Sequence, residues 1–145
     1  MKQFVLGLLI VQLLLGGYQF SFTTSAGQPG SVARATRLPS PAVFFHIFLA
    51  VMALIVWIVY FVSDQRAVAW VAFGILAVGA SLGLLMALRT IGRPTRLPVE
   101  PGEYPDPADV TVAEQLIPRP VMALHGLAAT GLVVCTLLVG LGATG

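Results

Sequence analysis

Residues 41–62 read PAVFFHIFLAVMALIVWIVYFV, a stretch without a single Asp, Glu, Lys or Arg. A helix needs about 20 such residues to cross the hydrocarbon core of a bilayer. No water is present there, so every backbone N–H and C=O must be paired within the protein, which leaves only helices and closed barrels. A barrel strand would alternate polar and apolar residues, and this stretch does not alternate. It is therefore a membrane helix. Working outward, residues 4–22, 67–88 and 120–143 are uncharged in the same way. The 145-residue chain is 57% hydrophobic and 10% charged, with mean hydropathy +0.92, whereas a soluble domain carries about 25% charged residues. The fold class is all-α, a small transmembrane helical bundle with four spans.

The first run admits two readings. Lys2 followed by a short apolar core and Thr24-Ser25-Ala26 resembles a signal peptide with a small-residue cleavage site. The other reading is a true span in which Gln12 and Gln19 face neighbouring helices. Cytoplasmic loops carry the excess of Lys and Arg. Arg34, Arg37, Arg89, Arg93, Arg96 and Arg119 fall on one side of a four-span arrangement, and only Lys2 and Arg66 on the other. That asymmetry favours four spans with both termini outside. The chain then divides into residues 1–22 (first membrane helix or signal peptide), a Gly/Ser/Pro-rich loop at 23–40, and a three-helix unit at 41–145 that contains a polar loop at 89–119.

The loops differ in kind. Residues 23–40 are rich in Gly, Ser, Thr and Pro and predict irregular backbone. Ser63-Asp64-Gln65-Arg66 is so short that the second and third helices form an antiparallel hairpin. Residues 89–119 begin basic and turn acidic, and prolines at 94, 98, 101, 105 and 107 keep the first part extended. Residues 109–116 predict a short interfacial helix with Asp109 as N-cap. On that reading Glu114 lies on the polar side, solvated and paired with the loop's own arginines.

One phrase occurs twice. Leu38-Pro39-Ser40-Pro41 leads through Ala42-Val43-Phe44-Phe45 to His46. Ile117-Pro118-Arg119-Pro120 leads through Val121-Met122-Ala123-Leu124 to His125. These are the only 2 histidines. The second and fourth helices run in the same direction, so both rings reach the same level, roughly 7–8 Å inside each helix start. The pattern hints at a duplication about an axis along the membrane normal. Below the histidines, Ala50 and Ala53 on one helix, and Ala128 and Ala129 on the other, leave space for a neighbouring helix or a flat cofactor.

Besides a transient metal or proton-relay role, three uses of such a pair are open. Bis-histidine ligation of haem b needs two neutral imidazoles on one iron, with the other ring nitrogens tied to carbonyls or Thr and with Arg37 and Arg119 near the propionates. A quinone headgroup bound between His46 and His125 would use much the same geometry. Alternatively, both histidines are structural, hydrogen-bonded to a neighbouring helix, water or lipid. The remaining motifs have packing explanations. Gly79-x-x-x-Gly83 is a close-approach face of the third helix, Trp57, Tyr60 and Trp70 suit an aromatic belt at the membrane boundary, and a lone Cys135 is a small apolar filler.

No catalytic signature is present: no phosphate-binding Gly-rich loop, no His-Glu-x-x-His, and no carboxylate within a span. A formal net charge of +2 gives no case for nucleic acid. It gives a modest case for contact with anionic lipid.

Ala113-Glu114-Gln115, the Pro-x-Pro and His125-Gly126-x-x-Ala129, with Trp57-Ile58-Val59-Tyr60 through Asp64 to Ala69-Trp70, resemble a group of small bacterial multi-pass membrane proteins. The resemblance covers residues 41–142, and the first span looks like an addition. That group has no established activity, so the resemblance implies a fold class and a location in the inner (plasma) membrane, without a substrate. Two functional expectations result. One is a non-enzymatic accessory or interaction subunit, bound to another membrane protein or to itself within the bilayer. The other is a membrane redox protein holding haem b or quinone between His46 and His125.

Overall fold

The structure is a computed structural model that describes residues 1–31, 33–91 and 111–143. Four helices dominate it: α1 (Lys2–Ser25), α2 (Ser40–Ser63), α3 (Arg66–Thr90) and α4 (Arg119–Leu141). Each is long and apolar enough to cross a membrane.

The Pro-x-Pro phrases start α2 and α4 in the same way. Pro39 and Pro118 take extended backbone (φ −60, ψ 123 and φ −59, ψ 126), and Pro41 and Pro120 lie in the first helical turn. Proline suits that position because its φ is already helical and its missing N–H would have no partner there. Both helices end on a left-handed residue, Asp64 (φ 56) and Gly142 (φ 76). Asp64 is the one non-glycine with positive φ among the described residues. Its short polar side chain tolerates that conformation, and it pairs with Lys2 at the start of α1.

Each helix packs against its neighbours in sequence, and α1 closes onto α4, so the bundle is a square with α2 and α4 on one diagonal. Val5 and Leu9 of α1, Ala53, Trp57 and Tyr60 of α2, Ala69 and Ala72 of α3, and Leu132 and Val139 of α4 form the core. The burial pattern repeats. The register that places His46 on His125 also places Ala53 on Leu132, Trp57 on Thr136 and Tyr60 on Val139, all of them buried. Likewise the register that places Gly16 on Gly83 puts buried Val5 on buried Ala72. Part of the inward face of the two helical hairpins therefore matches about an axis down the bundle.

Three expectations about the aromatic residues and the loops are corrected first. Trp57 and Tyr60 are core residues and not belt residues: Trp57 is 0% exposed, and its Nε1–H donates to Lys2 O at 3.1 Å. An indole can be wholly buried once its N–H has an acceptor. Of the three aromatics, Trp70 alone is exposed, with its ring against Gly140. Second, the first loop is not wholly irregular. Ala33–Ala35 (β1) pairs in parallel with Thr111–Val112 (β2). Third, of the helix expected over 109–116, the described residues hold a single 3₁₀ turn, Ala113–Leu116, because residues 111–112 are occupied in that pairing. The proposed N-cap Asp109 lies outside the described residues.

Glu114, expected in solvent, is 3% exposed. Its Oε1 accepts from the Thr36 hydroxyl and from the backbone N–H groups of Arg37 (2.8 Å) and Leu38 (3.2 Å). A buried carboxylate is tolerable when several donors converge on it. Glu114 thereby ties the approach to α2 to the approach to α4, which sets the start of both histidine-bearing helices.

Candidate functional site

His46 of α2 and His125 of α4 meet inside the bundle, with ring centroids 6.1 Å apart and planes inclined by 59°. Equal starts on parallel helices bring them to one level, and the square packing turns both inward from opposite corners.

Each ring rests on a glycine of an adjacent helix. A Cβ at Gly83 of α3 would lie 3.0 Å from His46 Cε1, and one at Gly16 of α1 would lie 3.2 Å from His125 Cε1. Each ring also bonds one turn away from that glycine. His46 Nδ1 lies 2.9 Å from Gly79 O. A carbonyl only accepts, so Nδ1–H is the donor, and Nε2 of the neutral ring keeps a lone pair. His125 Nε2 lies 3.1 Å from Gln12 Nε2. Gln12-x-x-x-Gly16 thus does for His125 what Gly79-x-x-x-Gly83 does for His46.

The second pairing is incomplete. With Gln12 Nε2–H donating to His125 Nε2, the proton of the ring sits on Nδ1. His125 Nδ1 and Gln12 Oε1 are then buried without a hydrogen-bond partner among the described residues. Gln19 Nε2, further along the same face of α1, is buried and unpaired as well. Turning the Gln12 amide so that Oε1 accepts from Nε2–H would free the Nδ1 lone pair instead, because the network decides such assignments.

The other residues singled out from sequence fall around this pair. Gly79 is buried, and a Cβ there would lie 3.7 Å from Leu49 Cβ, which places Gly79 and Gly83 on the seam with α2. Ala50 and Ala129 are half-buried. The space expected beneath the histidines is occupied, since Ala53 and Leu132 are fully buried in the core. Arg119 is the exposed first residue of α4, and the Arg37 backbone N–H is engaged by Glu114. Cys135 is a free thiol within the core packing. No group of three or more His, Cys, Asp or Glu is placed to hold a metal ion among the described residues.

Two axial imidazoles on one iron, with metal–nitrogen bonds of about 2 Å, have ring centres roughly 6 Å apart, and the spacing of this pair is similar, but the nitrogen-bearing edge of His46 faces α3 and that of His125 faces α1, so a ring would have to turn before both could hold one iron. Sequence reading missed the contribution of α1, namely Gln12, Gly16 and Gln19. The signal was available in the matching spacing of Gln12–Gly16 and Gly79–Gly83.

Fold and site together define a four-helix bundle, each helix long and apolar enough to cross a membrane, with an imidazole pair between the helices toward one end. Comparison of the chain with protein-family models, with curated proteins and with solved structures found no match.

Proposed function

We propose that this protein is a small accessory subunit of the plasma membrane that acts by binding, and that it binds a redox ligand, haem b or a quinone, at His46 and His125. The observation that carries this reading is the 6.1 Å approach of the two rings inside the bundle. Ionisable side chains within spans are functional by default, because placing them there is costly. A purely structural pair would be expected to satisfy its ring nitrogens within the bundle, and His125 leaves one buried nitrogen unpaired among the described residues. The loops rich in arginine face the cytoplasm on this reading.

The test is direct. The protein is purified in mild detergent from haem-replete cells, its visible spectrum is recorded, and an organic extract is assayed for quinone. A Soret band or a stoichiometric quinone, lost in both His46→Ala and His125→Ala variants that keep their helical circular dichroism, supports the proposal. A colourless protein with a quinone-free extract rejects it and leaves a bundle that serves only its membrane partners.

A further inference from the structure

We infer that the groove between α1 and α2 is a lipid site, holding one acyl chain of a phospholipid from the arginine-rich side of the bilayer, whatever the imidazoles bind. The side of the square between α1 and α2 is the least closely packed of the four. α1 spends its inward face on α4, where Gln12 and Gly16 meet His125. An apolar groove of about 530 Å³ remains between α1 and α2, within the 300–1,000 Å³ usual for ligand sites. Its walls include Phe20 and Thr24 of α1, and Val43, Ile47, Phe48 and Val51 of α2. The threonine wall is apolar too. Thr23 and Thr24 spend their hydroxyl protons on carbonyls of their own helix, Phe20 O at 2.8 Å and Ser21 O at 3.1 Å, which leaves mostly methyl groups to the groove.

Length, width and surroundings select the occupant. The lining runs from Ser40, the first residue of α2, to Val51, which is roughly 16 Å of helix. That is the depth of one leaflet, half of a hydrocarbon core about 30 Å thick. A helix roughly 10 Å across and of that length fills more than about 1,000 Å³, far more than the groove offers. Water gains no partners from apolar walls, and an empty groove would forfeit the dispersion contacts of its lining. A single extended acyl chain fits on all three counts.

The mouth is built and held. Thr36 and Leu38 line it on either side of Arg37. Buried Glu114 fixes all three, through the Thr36 hydroxyl and the backbone N–H groups of Arg37 and Leu38. The phosphate that every phospholipid carries lies at this level, on the side where the basic residues gather.

Palmitoyl-oleoyl phosphatidylglycerol is the probe. The full chain is purified in mild detergent, mixed with this lipid and weighed intact by native mass spectrometry. The expected spectrum shows one lipid retained per chain after the detergent is stripped. Val51→Trp, at the deep end of the groove, loses that lipid; Val51 is 42% exposed, so the change leaves the core untouched. Val43→Trp, nearer the mouth, loses it as well. Val78→Trp keeps it, because Val78 is 55% exposed on α3 and lines no part of the groove. A wild-type chain without retained lipid overturns the inference, as does undiminished retention by Val51→Trp in protein that keeps its helical circular dichroism. Equal loss in Val78→Trp also overturns it, since the lipid is then an unspecific coat. A lipid-free dimer that Val51→Trp dissociates overturns it in favour of a second copy seated in the groove.

Discussion

A methyl group added at residue 83 would stand 3.0 Å from Cε1 of His46. The ring cannot retreat without leaving its hydrogen bond to Gly79 O. Gly83→Ala should therefore destabilise the protein by about 1–3 kcal/mol, the usual cost of overpacking, although alanine is the better helix former by about 1 kcal/mol. A methyl group at Gly7 of α1 would meet nothing within 4 Å, so Gly7→Ala should be neutral or stabilising by up to about 1 kcal/mol. Thermal melts in detergent measure both, and equal shifts of one sign would refute the argument. Glu114 offers a second test at this scale. Glu114→Ala removes the acceptor of the Thr36 hydroxyl and of two backbone N–H groups. It should cost about 1–3 kcal/mol and perturb the starts of both histidine helices, seen as faster amide hydrogen exchange there. This role was not legible in the sequence, because the partners lie 76 to 78 residues away and an acidic residue in a polar loop reads as solvated.

Elements were the most legible level. Lipid leaves an uncharged run of this length little choice but a helix, so the extents of α1 to α4 follow closely from where the charges stop. The depth of the histidines was equally readable, since it follows from two identical starts. The inward face of each helix was not. Span ends carry aromatics both in boundary belts and in cores, and only packing distinguishes them. Trp57 reads like a belt residue yet is fully buried, whereas Trp70 is 41% exposed. Trp57→Ala should thus cost about 3–5 kcal/mol, with loss of cooperative melting. Trp70→Ala should cost clearly less, and equal losses would contradict the assigned core.

For the molecule as a whole, the closed square of four helices places the approaches to α2 and α4 at one end and the start of α1, the α2–α3 turn and the end of α4 at the other. Cysteine-accessibility labelling in oriented membranes should find positions 28 and 119 on one face, and positions 1 and 65 on the other. Labelling of 28 and 119 from opposite faces would break the four-span arrangement and, with it, the common level of the imidazoles. The likeness of the hairpins was half visible: Pro-x-Pro and His carry it in α2 and α4, while in α1 and α3 only a pair of spacings matches.

The equivalence of the hairpins fails at one telling place. Where α3 offers the backbone oxygen of Gly79, α1 offers the longer arm of Gln12. A perfectly even bundle would receive a guest in two indistinguishable poses, half of them facing each way. The lopsided arm removes that degeneracy. One imidazole is held by fixed backbone and the other by a side-chain amide that can turn, so the two rings are chemically distinguishable in spite of their common depth.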